Sequence, residues 1–544
     1  MSFALGRSVL KRIPMPSKIT MPAVSNGPRK VKRHRAKKQN PDPTTPLGVL
    51  LNHEVPEICK EHNLTLEQVS NPLNKILNNT DLRAKYNRVV ESVKILRYSS
   101  NGEGLALLPH PEIPDGKQIA VVPFAMPEDI VTIRVFTTKD THVDADLLKI
   151  ESPSPLRKQD LIRCQYFGAC SGCQYQPIEY EDQLIFKRQT IINAYRYFAP
   201  RLTSMGKLPE VGATVASPLK YGYRTKLTPH YQFSRHQDPS VRPNFGFGSK
   251  GRPSWRDVPK REYPGEVMDI EDCIIGTDIV RQGLKNERAR LEKLIQSGQV
   301  KHKGATVLLR EDTRRNREEL KGSRTEDGTL SIIEQDDVFK TCVTDNNAIV
   351  SEYVNGLRFD FVANEFFQNN NSILPKVLDY VKSNLALDES GDSYLVDAYC
   401  GSGLFSISCA SSVRKSLGVE ISAHSIKFAQ RNVELNDIHN CEFIEGKAEK
   451  LFEKIDFPKD KTSVILDPPR KGCDEVFLRQ LAEFYPKRIV YVSCNVHSQA
   501  RDVEYFLTET QKGKDYKVES IVGFDFFPQT HHVEGVAVLS RATS

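Results

Sequence analysis

Cys494 closes a run, Arg488-Ile489-Val490-Tyr491-Val492-Ser493, that reads as a buried β-strand. Three β-branched residues and a tyrosine follow one another there without polar alternation. A cysteine just past the carboxyl end of a parallel strand lies where open α/β sheets bind ligands. Taken alone, Cys494 reads first as a small core residue, because free cysteine is among the most buried residue types. The stretch His531-His532-Val533-Glu534 supplies a carboxylate, brought back by the adjoining strand. One activated cysteine and one carboxylate suffice for nucleophilic addition followed by proton removal. Otherwise Glu534 is a surface acid, and His531 and His532 are hydrogen-bond partners.

A cofactor site is written in the same third of the chain. Leu395-Val-Asp-Ala-Tyr399 reads as a strand, followed by Cys400-Gly-Ser-Gly403 and a helix over 404–410. A glycine turn there lets a ligand approach the backbone at a helix N-terminus. Glu420 ends the next strand, twenty-one residues after Tyr399, where an acid can bond a ribose hydroxyl. The third glycine of the dinucleotide fingerprint is missing, so a cofactor with ribose and adenine but no pyrophosphate fits better. S-adenosylmethionine is one. Asp467-Pro-Pro-Arg470 adds a proline-stiffened loop that can present Asp467 to a planar base and a sulfonium. With Cys494 one strand later, methylation of carbon is favoured over nitrogen. C5 of uracil is too weak a nucleophile unaided. A thiolate added at C6 makes the ring an enolate, C5 takes the methyl group, and a base removes the C5 proton.

The elements that must position these groups follow from pattern. Strands at 395–399, 416–420, 441–444, 463–467, 488–493, 520–524 and 535–539, with helices between them, imply a parallel α/β sheet over 346–544. Residues 88–152 carry short strands with turn signals, including Gly102 and Gly104, and imply a small barrel. Residues 153–345 imply a central mixed α+β domain. Its helix over 177–199 is expected to bury Leu184, Ile185, Thr190, Ile191 and Ala194, and 312–328 is expected as an exposed charged loop. Arg224, Lys226, Arg242, Lys250 and Arg252, interleaved with Tyr223, Phe245 and Trp255, are expected either to grip phosphates and stack bases or to form a plain wet sheet face. Cys164, Cys170 and Cys173 fall within ten residues, and Cys273 is the nearest fourth ligand. That spacing suits an iron–sulfur cluster better than zinc, the alternative being a loop that no longer holds metal. Residues 46–87 form a helical appendage, broken at Pro56 and Pro72. Of the 76 Lys and Arg, eleven lie in residues 1–41 with no Asp or Glu; the other 65 face 69 acids. The basic excess therefore sits in a disordered extension (1–45), readable as a mitochondrial transit segment, a nuclear signal or a nucleic-acid arm. No apolar run is long enough for a membrane span, the uneven cysteines favour a reducing intracellular compartment, and no obligate protein partner is visible.

Together Phe366-Phe-Gln368-Asn, Asp397-Ala-Tyr-Cys-Gly-Ser-Gly403, Gly418-Val-Glu420, Asp467-Pro-Pro-Arg-Lys-Gly472, Val492-Ser-Cys-Asn495 and His532-Val-Glu534 resemble the RNA uracil-C5 methyltransferases. The likeness runs from about residue 88 to the end. It implies a Rossmann-like S-adenosylmethionine-dependent catalytic domain, a central RNA-contacting domain and an OB-like TRAM barrel. It implies Cys494 as nucleophile, Glu534 as base, and Gln368, Tyr399, Glu420 and Asp467 around the cofactor. Leu404 stands where some members have asparagine. Some bacterial members that act on rRNA hold a [4Fe-4S] cluster through cysteines spaced as at 164–173. The basic extension and helical appendage resemble instead a fungal-type enzyme making 5-methyluridine in the T-loop of tRNA, at position 54. An rRNA methyltransferase, an RNA-binding or folding factor with secondary methylation, and a nucleic-acid hydrolase are the rival readings; the hydrolase ranks last because no paired-carboxylate metal motif is visible.

Overall fold

The computed structural model describes residues 49–233, 238, 241–256, 267–299, 303–317, 320–446, 452 and 455–542. The extension over 1–45 lies outside the described residues. The C-terminal third is built on a seven-stranded sheet: β1 (Tyr394–Ala398), β2 (Lys415–Glu420), β3 (Cys441–Glu445), β4 (Thr462–Leu466), β5 (Arg488–Ser493), β6 (Tyr516–Phe524) and β7 (Glu534–Arg541). Their order is β3-β2-β1-β4-β5-β7-β6. β1 to β5 run parallel, and β7 lies antiparallel between β5 and β6.

Strand chemistry explains the layering. Successive strand residues point to opposite faces. Val396, Val464, Leu466, Ile489 and Tyr491 enter one core, while Leu395, Ile465, Val490 and Val492 enter the other. Both faces are covered, so continuous apolar runs are stable here. Helices Glu475–Phe484 and Val496–Glu509 cover the first face; Leu374–Ser383, Leu404–Ser408 and Ala423–Leu435 cover the second. Each fully buried Val, Leu or Ile contributes about 1.5–3 kcal/mol. Helix Tyr180–Phe198, from the central stretch, also packs into the first core through Ile191, Ala194 and Tyr195. Its buried stripe differs from the expected one: Gln183 and Lys187 are buried on it, while Ile185 is 62% exposed.

Five strands, Val89–Tyr98, Gly104–Pro109, Lys117–Val122, Ile130–Thr138 and Val143–Ser152, close a barrel. The appendage lies against it, with Val55, Ile58, Cys59 and Val69 packed on Leu105, Ile119 and Val121. Pro56 does not break the first helix, which runs through it as Leu51–Glu61. The central strands are short, among them Lys226–Leu227 and Phe245–Gly246. The charged stretch expected to begin a loop at 312 is instead the end of the strand Leu309–Arg314, buried along its length. Its charges are tolerated because they are paired: Arg310 Nη2 meets Glu352 Oε1 at 2.7 Å, and Arg314 Nε meets Asp312 Oδ1 at 2.9 Å.

Candidate active site

β1 gives way to the glycine turn through three residues with positive φ: Tyr399 (+66°), Gly401 (+54°) and Gly403 (+92°). A side chain in this region costs backbone energy, and such residues cluster at ligand sites. A Cβ at Gly401 would meet nothing within 4 Å, so the turn borders open space. At the end of β2, Glu420 accepts from the Gly401 N–H at 3.3 Å and from the Ser422 N–H at 2.9 Å. These bonds fix the carboxylate while leaving acceptor capacity for a diol.

Gln368, Tyr399, Glu420, Asp467 and Cys494 all line one cavity of about 930 Å³. Four of them stand at or just beyond strand ends, on the carboxyl side of the sheet. Gln368 comes from the loop after the hairpin Ile349–Val354/Leu357–Val362. That loop is held from below: Arg310 Nη1 donates to Asn369 Oδ1 at 3.0 Å, and Phe367 stacks on Phe361. Phe366 and Ile421, 72% and 64% exposed, also line the cavity. Leu404 lines it as an apolar residue.

Glu534 is buried and opens β7. Ser493 pairs with Gly535 across the antiparallel β5–β7 ladder, and one further step of that register sets Cys494 against Glu534. Sequence and register thus bring the two groups together. The surroundings withhold charge from both. Burial, then Glu534 and Asp467, push the Cys494 thiol up to about 12, with Arg470 opposing. Burial and Asp467 hold the Glu534 carboxyl well above its ordinary value. Burial and Asp397 push Asp467 up to about 7.

Sequence reading missed the parts that hold these groups in place. Asn495 Nδ2 and Ser498 Oγ both donate to the Arg470 carbonyl, at 2.9 and 2.8 Å, tying the proline loop to the turn that carries Cys494. The loop from Asp525 to His532, which delivers Glu534, is held at successive carbonyls. Asn370 Nδ2 donates to Phe526 O at 3.0 Å, Lys187 Nζ to Phe527 O at 2.9 Å, Tyr223 OH to Pro528 O at 3.0 Å, and the Gln174 and Tyr175 N–H groups to Gln529 O. Lys187 also pairs with Asp525, both wholly buried, and Tyr180 OH donates to Asp525 Oδ2 at 2.9 Å. The available signal was a lysine falling on the buried stripe of its helix.

The expected phosphate-gripping set divides. Tyr223 and Phe245 are buried, Arg242 pairs with Asp269, and Lys250 pairs with Glu103. Lys226 donates to the Asn364 carbonyl, and Arg224 lies over Phe527. Cys164, Cys170, Cys173 and Cys273 line a second cavity of about 300 Å³, together with Phe527, Thr530 and His532. Among the described residues no three His, Cys, Asp or Glu side chains are gathered tightly enough to hold a metal ion. No helix among them is long and apolar enough to cross a membrane.

Residues 302–542 match the family model described as tRNA (Uracil-5-)-methyltransferase, and residues 84–148 match that of the TRAM domain. The tRNA (uracil(54)-C(5))-methyltransferase of Saccharomyces cerevisiae is 49% identical over 96% of this chain and 86% of that protein. Its namesake in Schizosaccharomyces pombe is 41% identical over 83% of this chain and 78% of that protein. A crystal structure of the Pyrococcus abyssi tRNA (uracil-54, C5)-methyltransferase, in complex with S-adenosyl-L-homocysteine, shares the fold with a TM-score of 0.55 at 23% identity, covering 83% of this chain and all of that one. The Rossmann-like sheet, the barrel and these identities agree, and the chain belongs to the tRNA (uracil-5-)-methyltransferase family.

Proposed function

We infer that the chain transfers a methyl group from S-adenosylmethionine to C5 of uridine 54 in the T-loop of tRNA. The observation that carries this is one cavity holding Gln368, Tyr399, Glu420 and Asp467 with Cys494 at its wall, in a chain 49% identical to an enzyme of that name. The donor set suits the cosubstrate: Glu420 for the ribose hydroxyls, the Tyr399 ring and Phe366 for the adenine, Gln368 and the open Gly401 turn for the polar tail. When bound, S-adenosylmethionine supplies the methyl group and a sulfonium charge, and Asp467, on the proline loop of the same cavity, is the acid that would complement that charge.

The remaining steps belong to two side chains. Cys494 Sγ adds to C6 of the ring as the thiolate, and the enolate so formed takes the methyl group at C5 as the S–CH3 bond breaks and the cosubstrate leaves as a neutral thioether. The Glu534 carboxylate then takes the C5 proton, the Sγ–C6 bond breaks, and the product leaves with the thiolate restored. The uridine must leave its stack to reach the strand end, so it is flipped. Cys494→Ala is expected to abolish both turnover and covalent RNA adduct. Glu534→Gln is expected to accumulate adduct, because addition and methylation proceed while release does not. Methylation by Cys494→Ala would sink the mechanism. Nucleoside analysis of tRNA and rRNA transcripts tests the substrate; 5-methyluridine from rRNA alone would overturn the tRNA assignment.

The cysteine cavity supports a separate role. Four thiols around one space match the ligand number of a [4Fe-4S] cluster, which is broader than a single ion and so spaces its ligands more widely. Cys164, Cys170, Cys173 and Cys273 would hold it, and it would brace the loop that delivers Glu534. Iron analysis and an absorbance spectrum of anaerobically purified protein test this; colourless, iron-free protein would overturn it.

A further inference from the structure

We propose that the outer face of barrel strand Ile130–Thr138, together with the turn Pro253–Trp255, binds the phosphodiester backbone of the substrate RNA outside the catalytic cavity. The inference rests on the reading of the substrate as tRNA. Val131, Ile133 and Val135 point into the barrel, so Arg134 and Phe136 are consecutive outward residues. Trp255, the chain's one tryptophan, is laid across them from the central turn. The Arg134 guanidinium lies 4.4 Å from its ring, Phe136 meets it edge-on at 6.0 Å, and the Arg252 guanidinium lies 5.7 Å from Phe136.

The result is a ladder of cation, ring, ring and cation. A guanidinium laid on a ring keeps its N–H edge free for oxygen acceptors, in the planar fork that suits phosphate. Both arginines are exposed, and among the described residues neither guanidinium is paired with a carboxylate. The neighbouring cations differ: Arg242, Lys250 and Arg256 are engaged by Asp269, Glu103 and Asp146. Stacking on the rings places the two guanidiniums but leaves their charge uncompensated, and a polyanion would compensate it. On the other side Thr132 donates to Glu151 at 2.5 Å, with Lys149 opposite Thr132 on the neighbouring strand.

A chain of contacts links the strip to the loop that delivers Glu534. Lys250, two residues from Arg252, meets Glu103 of the barrel turn at 2.5 Å. The adjacent Gly102 has φ +72°, and a Cβ there would stand 2.7 Å from His531 Cβ. His531 lies three residues before Glu534. One backbone gripped on the ladder can thus extend along the barrel turn toward the base that acts.

The test is methyl transfer to full-length tRNA by R134Q/R252Q over a range of salt concentrations. KM for tRNA should rise on the order of tenfold with kcat at saturation unchanged, and the log–log salt slope of KM should fall by about two, one for each phosphate no longer neutralised. Trp255→Ala should raise KM with both charges still present. R252Q alone, at an exposed turn, gives the same direction at half the slope change. An unchanged KM and salt slope in R134Q/R252Q, on tRNA that the wild-type protein methylates, would overturn the proposal. Wild-type protein that methylates no tRNA would overturn the substrate reading instead.

Discussion

Cys494, the proposed nucleophile, is stored without its charge. Burial and two facing carboxyls push its thiol up to about 12. At neutral pH the ligand-free protein therefore holds a thiol, and the thiolate fraction grows tenfold for each pH unit below that value. Glu534 is raised as well, so the form competent to accept a proton also grows with pH. Both shifts act in one direction. The logarithm of kcat/KM, which reports the free enzyme, should climb with a slope of about one or more between roughly pH 6 and 8, without a plateau. A plateau beginning below pH 7 would show that the thiol is already ionised before substrates bind. The same arrangement protects a thiol with no partner to form a disulfide from idle oxidation, since the thiolate is the reactive species. Asn495 is the residue that links this chemistry to backbone. It donates to the Arg470 carbonyl, and its Oδ1 accepts from the His497 N–H at 3.3 Å, capping helix Val496–Glu509. Asn495→Ala removes a cap and a buried hydrogen bond, so a stability loss of about 1–2 kcal/mol is expected in a denaturant titration.

The loop before β7 is the element on which the proposed base, Glu534, depends. Lys187 and Asp525 are 338 residues apart and both wholly buried. Lys187→Met leaves the Asp525 carboxylate without its cation, which costs about 3–5 kcal/mol. Replacing both, as in K187M/D525L, removes the stranded charge and should restore most of that stability. It does not restore the hold on the Phe527 carbonyl, so the double variant should melt near the wild-type temperature yet turn over slowly and accumulate adduct. Wild-type kcat in the double variant would show that the ion pair serves stability alone. This pair also marks where reading the sequence stops. Cys494, Glu420 and Asp467 were legible because each sits in or next to a short motif at the end of a continuous apolar strand. Lys187 and Arg310 were not, because a charge reads as exposed until its partner is known, and the partners lie far along the chain. The buried acid of barrel strand Val143–Ser152 was hidden for a related reason. The strand's acids interrupt the alternation, and Asp146 is buried against Arg256, 110 residues away.

Across the whole molecule the helical appendage acts as a bracket between barrel and catalytic unit. Its apolar side seals Leu105, Ile119 and Val121 of the barrel. Its polar side reaches both parts through one residue. Glu57 Oε2 accepts from Arg97 of the barrel at 2.9 Å and from Tyr197 OH at 2.6 Å, while Glu57 Oε1 meets Arg196 at 2.8 Å; Arg196 and Tyr197 belong to helix Tyr180–Phe198 of the catalytic core. His53 adds a stacked contact with Tyr197 at 5.3 Å. The periodicity of 46–87 announced helices but gave no sign of what they join, since a bracket is defined by two distant surfaces. If it fixes the angle at which the barrel meets the cleft, loosening it should weaken capture of a large substrate without touching the chemistry. Glu57→Ala is therefore expected to raise KM for tRNA several-fold, to leave kcat at saturating tRNA unchanged, and to increase protease cleavage between barrel and core. Removing the carboxylate also frees Arg196 on the surface, Arg97 keeping its pair with Glu61, and the lost negative charge alone would favour a polyanion. The predicted rise in KM thus runs against the simple charge effect. A fall in KM would mean that Glu57 acts through charge and that the barrel is held without it, by the apolar contacts and by Glu54 and Glu61.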